Sequence, residues 1–202
     1  MIRTVISDLG KVIVHFDNGL FFAKLSAATG LAVEDIIGLA FHRTRLISAF
    51  DAGSLDPDAF RSEVCRRLGL SVDREEFFEM YNDIFRLIPG TLDVLRRAKR
   101  TCRLVLLSNT DPMRYGHIVR TYPQTQIFDS YVLSYKERLV KPDPRIYELA
   151  LDRAAADASE CVFIDDRPEN VAPAIARGIT GIVFEEGRTD LAAELGRAGV
   201  DL

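Results

Sequence analysis

Apolar residues along this chain fall into two patterns. Five short apolar runs read as buried strands: "TVISD" (4–8), "RLVLLSN" (103–109), "YVLSY" (131–135), "CVFIDD" (161–166) and "GIVFE" (181–185). Runs of this length, closed by polar residues, suit strands covered on both faces. Helical periodicity lies between the later runs. "GTLDVLRRAKR" sets apolar residues at Leu92, Val94, Leu95 and Ala98, and "PDPRIYELALDRA" sets Ile146, Leu149 and Ala150 at i, i+3, i+4. "PENVAPAIARG" ends in Gly178, an expected C-cap. "TDLAAELGRAGVDL" predicts a terminal amphipathic helix. From residue 90 onward this strand–helix alternation predicts an α/β fold, a parallel sheet with helices on both faces.

Residues 18 to 88 break the rhythm. They show helical patterns in succession and no convincing strand: "GLFFAKLSAATG", "AVEDIIGLAFHR", "DPDAFRSEVCRRLG" and "VDREEFFEMYNDIFR". The third is punctuated at both ends, with Asp56 as N-cap, Pro57 at N1 and Gly69 past its end. Pro89-Gly90 marks the return to the sheet. The expected organisation is a core from residues 1–14 and 90–202, with a helical insert at 15–89.

Composition narrows the partners. The 202 residues are 48% hydrophobic and 28% charged, with net charge −4. That balance offers no basic face, so nucleic acid is not an expected partner. No apolar run reaches spanning length, and the N-terminus lacks a signal-peptide layout, so a cytoplasmic protein without a membrane partner is expected. Monomer or homodimer is the expected assembly. Cys65, Cys102 and Cys161 lie far apart, without metal-type spacing, and are expected to pack in cores.

The chemistry sits at strand ends. Asp8 closes the first strand, Ser108-Asn109 the second and Asp165-Asp166 the fourth, while Lys141 follows the third. Each has a plain structural reading: a turn at Asp8-Leu9-Gly10, helix capping by Ser108-Asn109, a solvated Lys141, a capped turn at Asp165-Asp166. Together they converge, because carboxyl ends of parallel strands in one sheet open on one crevice. Three carboxylates there call for a divalent cation, and oxygen ligands suit Mg²⁺. Lys141 and Ser108 suit an anionic group, and a phosphoryl group bridging metal, ammonium and hydroxyl is the natural occupant.

These four motifs, "VISDLGKVIV", "LVLLSNT", "VKPDPRIYELAL" and "VFIDDRPENV", resemble those of the haloacid dehalogenase superfamily in order and spacing. The resemblance covers essentially the whole chain. It implies a Rossmann-like core with a small helical-bundle cap inserted after the first strand. It implies a Mg²⁺-dependent phosphatase of small phosphomonoesters, in which Asp8 attacks phosphorus to form an aspartyl-phosphate that water hydrolyses. Ser108 would bind a phosphoryl oxygen and Lys141 would offset charge. Asp8, Asp166, Asp165 (directly or through water) and the Gly10 carbonyl would hold the metal. Asn109 would hold the surrounding hydrogen bonds or contact the phosphoryl group of the substrate.

The chain departs from the family pattern at Gly10, where most such phosphatases carry an aspartate that protonates the leaving group. Asp-Leu-Gly versions resemble the branch with sugar-1-phosphate phosphatases such as α-glucose-1-phosphate phosphatase, although Lys11 stands where that branch usually has Asn. Without the acid, a preference for acidic leaving groups is expected. His15, Asp17, His42 and Arg43 are the candidates to replace it. A dehalogenase or phosphotransferase of the same superfamily, and a catalytically silent binding module, are the alternative readings.

Overall fold

The computed structural model describes residues 1–42 and 44–202. Its main sheet has five parallel strands in the order β5-β4-β1-β6-β7: β1 Thr4–Ser7, β4 Arg103–Ser108, β5 Ser130–Leu133, β6 Cys161–Asp165 and β7 Thr180–Val183. All five predicted strands are present. The third is shorter than its apolar run, because the chain turns into a one-turn helix at Ser134.

Period-two alternation divides the strand side chains between two cores. Val5, Leu104, Leu106, Val162 and Ile164 face one side, packed by α6 (Thr91–Ala98), α7 (Pro112–Thr121) and α11 (Leu191–Ala198). Ile6, Val105, Leu107, Cys161 and Phe163 face the other, packed by α9 (Pro144–Ala154) and α10 (Pro168–Ile175). The predicted C-cap at Gly178 falls two residues beyond the observed cap, Ala176, although Gly178 does take a positive φ of 85°. Cys102 and Cys161 are buried, and Cys65 packs against the insert's core.

The insert holds α1 (Asn18–Thr29), α2 (Val33–Ile36) continuing as a π-helical turn over Ile37–His42, α3 (Leu46–Asp51), α4 (Pro57–Leu68) and α5 (Arg74–Asn82). Asp56 caps α4 through Ala59 N–H, as expected. Its helices close on a core of their own, with Phe21, Phe50, Phe60, Phe77 and Tyr81 fully buried. Met113 at the start of α7 packs against this aromatic core as well, so the insert is docked on the helix that follows β4.

One expectation is corrected here. Residues 18–88 do contain a strand, β3 (Phe85–Leu87), which pairs antiparallel with β2 (Val14–Phe16). It is not part of the main sheet. Its residues continue the apolar rhythm of α5, and only the pairing across some seventy intervening residues draws them out of the helix. The two passages between core and insert are thereby stitched together as a hairpin-like ribbon.

A close backbone approach anchors α3. Gly53, just after it, has φ +65°, and a Cβ there would lie 2.2 Å from the carbonyl oxygen of Tyr135 in α8 (Ser134–Glu137). Gly53→Ala therefore meets both a left-handed backbone penalty and a clash with unyielding backbone. A loss of about 2–4 kcal/mol is expected, read as a lowered denaturation midpoint with unchanged slope.

Candidate active site

Asp8 stands one residue past the central strand, its N–H still bonded to the Ile164 carbonyl at 2.9 Å, so β1 delivers it between the ends of β4 and β6. Its Oδ1 accepts from Leu9 N–H at 2.7 Å, which holds the carboxylate over its own turn. The loop before α9 brings Lys141 to the same point. Its Nζ lies 2.9 Å from Asp8 Oδ1 and 2.6 Å from Asp165 Oδ2, and donates to the Leu107 carbonyl at 3.0 Å. Those three contacts occupy all three ammonium protons.

Asn109 fixes the lysine's backbone. Its Nδ2 donates to the Lys141 carbonyl at 2.9 Å and its Oδ1 accepts from Lys141 N–H at 2.8 Å. Ser108 is buried at the end of β4, and the N-cap of the following helix is Asp111, not Ser108 or Asn109. Asp165 is fully buried, with Oδ1 accepting from Arg167 N–H and Asn170 Nδ2, both at 2.9 Å. Asp166 is half-buried and faces the cavity.

The electrostatics are set by burial. Desolvation raises the Asp8 pKa, Lys141 opposes it and Asp165 adds to it. Burial works against the charged form of Lys141, but Asp8 and Asp165 outweigh it, so its pKa is raised overall. Asp166 is also raised, by burial first and then by Asp165. Asp8, Asp165 and Asp166 bring carboxylate oxygens within 4.8 Å of one another. One ammonium against three converging carboxylates leaves net negative charge, which a hard divalent cation would balance.

The cavity above these groups has a volume of about 400 Å³. Gly10, Asn109, Lys141 and Asp166 border it on the core side; Phe16, Asn18, Ser48, Asp51 and Phe85 border it from the insert and its connections. The position of Gly10 is shaped by Phe16: a Cβ there would lie 2.9 Å from the ring's Cε1. The ring stands where a side chain two residues beyond Asp8 would project.

The candidates for a replacement acid are placed elsewhere. His15 and Asp17 border a neighbouring cleft. His15 Nδ1 lies 2.8 Å from Glu186, its Nε2 3.4 Å from Lys11 Nζ, and Asp17 caps α1. Lys11, at φ 58°, sets its ammonium 4.9 Å over the Phe16 ring. His42 ends the π-helical turn outside the cavity lining, and Arg43 lies outside the described residues.

Sequence reading missed Asp51 and Arg114. Arg114, buried in α7, donates to Asn18 Oδ1 at 2.7 Å and stacks 4.1 Å over the Tyr81 ring. Tyr81 in turn donates to Asp111 Oδ2 at 2.8 Å. Neither residue carries a local motif; only the docking of the insert onto α7 and onto the segment that begins at Ser134 brings them to the cavity.

Comparison with known proteins agrees with this architecture. Residues 2–178 match the family described as a haloacid dehalogenase-like hydrolase. The chain is 27% identical over 181 residues to a D-ribitol-5-phosphate phosphatase of Bacteroides thetaiotaomicron, covering 85% of this chain and 86% of that one. It is 32% identical over 139 residues to an (S)-2-haloacid dehalogenase of a Pseudomonas species, covering 64% and 60%. In fold it superimposes with a TM-score of 0.84 on a Bacteroides thetaiotaomicron enzyme of the same family crystallised with magnesium and inorganic phosphate, at 22% identity, covering 96% of this chain and 99% of that one.

Proposed function

We propose that this chain, which belongs to the haloacid dehalogenase-like hydrolases, is a Mg²⁺-dependent phosphatase of small sugar or polyol phosphomonoesters. The observation that carries the reading is the meeting of Asp8, Lys141 and Asp166 at one cavity, with the buried Asp165 paired to Lys141. Similarity to a ribitol-phosphate phosphatase supports the substrate class, and a 400 Å³ cavity suits a ligand of that size.

The residues fit a metal. Asp8, Asp166 and the Gly10 carbonyl would hold it, with Asp165 held back by Lys141, Arg167 and Asn170 and reaching it through water. Bound Mg²⁺ would neutralise phosphoryl charge. Lys141, pinned on Leu107 and Asp165, aims the Asp8 carboxylate and favours its ionised form against the burial that raises its pKa. Asp8 attacks phosphorus, the ester oxygen departs, and water then releases phosphate from the aspartyl group. Asn109 acts by fixing Lys141, and Ser108, buried at the end of β4 beside Asn109 in sequence, would bind a phosphoryl oxygen. The helical insert serves as the cap that closes the substrate in and sets its identity.

The acidic pair speaks against a dehalogenase, whose attack on carbon needs no metal. A screen of sugar phosphates, polyol phosphates, nucleotides and simple phosphomonoesters, with and without Mg²⁺, tests the reading. Mg²⁺-dependent release of phosphate is expected, and its absence across the panel would refute it. Asp166→Ala should raise the Mg²⁺ concentration for half-maximal activity by roughly 10–100-fold, the scale on which metal-site changes act. Titration by calorimetry checks this, and an unchanged affinity would assign the ligand elsewhere.

A further inference from the structure

An alkoxide is a poor leaving group, so cleaving an alkyl phosphate near neutral pH calls for a proton at the departing oxygen. Among the described residues, the titratable groups bordering the cavity are Asp8, Asp51, Arg114, Lys141, Asp166 and Arg167. Asp8 is the nucleophile and Asp166 the metal ligand in the reading above. The Lys141 protons are all engaged, and a guanidinium does not release a proton. Gly10 offers no side chain, and the Phe16 ring stands over its position. One carboxyl group is left.

We propose that Asp51, contributed by the helical insert, is the proton donor to the leaving group and later the base that activates water. This rests on the phosphatase reading. Asp51 closes α3, and its carbonyl accepts from Ser134 Oγ at 2.6 Å, while that oxygen accepts from Thr110 N–H at 2.9 Å. The linkage ties Asp51 to the loop directly after Ser108-Asn109, and Gly53 lets α3 end there. Burial, with Asp111 adding and Arg114 opposing, pushes the Asp51 pKa up to about 7, so the group carries a proton for a useful part of the time at neutral pH.

The steps balance. As Asp8 Oδ bonds to phosphorus, the P–O bond to the alcohol breaks, and the departing oxygen takes the Asp51 proton and leaves as ROH. Asp51, now a carboxylate, takes a proton from the water that attacks the aspartyl-phosphate. The P–O bond to Asp8 breaks, hydrogen phosphate leaves, and both carboxyl groups return to their starting forms.

The test compares kcat/KM of wild type, Asp51→Asn and Asp51→Ser on glycerol 3-phosphate, phenyl phosphate and 4-nitrophenyl phosphate with Mg²⁺. This parameter covers steps through departure of the alcohol, so slow dephosphorylation does not mask the effect. Both variants should lose about 10²–10³-fold on glycerol 3-phosphate and less than about tenfold on 4-nitrophenyl phosphate, whose anion departs unaided. Phenyl phosphate should fall between. Equal losses on all three would make Asp51 a substrate-binding residue and overturn the proposal, as would no loss. Residual 4-nitrophenyl phosphate turnover shows that each variant is folded. If wild type hydrolyses none of the esters, nor the wider panel, the phosphatase reading fails and this proposal falls with it; if it hydrolyses them and the variants show no split, only the proposal fails.

Discussion

Asp8→Asn should abolish turnover, lowering kcat by about 10⁴-fold or more, the scale lost when an enzyme's nucleophile is removed. The amide keeps the shape of the carboxylate, yet its oxygen is a weak nucleophile toward phosphorus. The fold should survive. Asp8 is buried, and desolvation already penalises its charge. In the variant Lys141 keeps its contacts with Asp165 and Leu107. The repulsion between positions 8 and 165 disappears with the charge. The midpoint of thermal unfolding should therefore stay within a few degrees of wild type. Steady-state phosphate release and a melting curve on the same preparation check both halves. Wild-type turnover would assign the nucleophile elsewhere, and a collapsed melting curve would show that Asp8 is also needed structurally.

Lys141→Ala should have the largest effect on stability. Lys141 is buried, and its Nζ is the cation between Asp8 and Asp165, which is itself fully buried. Removing one partner of a buried ionic cluster leaves uncompensated charge, typically at a cost of about 3–5 kcal/mol. For a domain of this size that is a fall of roughly 10 °C in the unfolding midpoint. The sign of the pH dependence follows from Asp8. Burial raises its folded pKa above the unfolded value, so between the two the folded state holds more protons and stability falls as pH rises. Without Lys141 the folded pKa rises further and the window widens. The deficit of Lys141→Ala should then be small near pH 5 and larger near pH 8, and Mg²⁺ should recover part of it. Melting curves at both pH values, with and without Mg²⁺, check this. A deficit independent of pH would mean that lost packing, rather than lost charge, dominates.

The core was legible because its signals are local. The strand runs around Val5, Leu106, Val132 and Phe163 are short and continuously apolar, as strands covered on both faces must be. The capping residues of α4 are spelled out in adjacent positions. The polar strand ends were legible together, since parallel order alone sends Asp8, Lys141, Asp165 and Asp166 to one edge of the sheet.

What needed the folded chain depends on contacts between distant segments. Phe85–Leu87 continues a helical rhythm, and only pairing with Val14–Phe16 makes it a strand. Asp51 looks like any polar residue ending a helix. Its place at the cavity comes from the Gly53 approach to Tyr135 and the Ser134 link to Thr110, neither of which leaves a mark in nearby sequence. His15, prominent as a histidine close to Asp8 in sequence, is turned toward Glu186 by the β2–β3 pairing. Residue types and their order along the strands determined which carboxylates and which lysine meet at the end of the sheet. Docking of the insert onto the sheet decided which side chains face them, because that interface joins residues far apart in the chain, whose positions no local periodicity encodes.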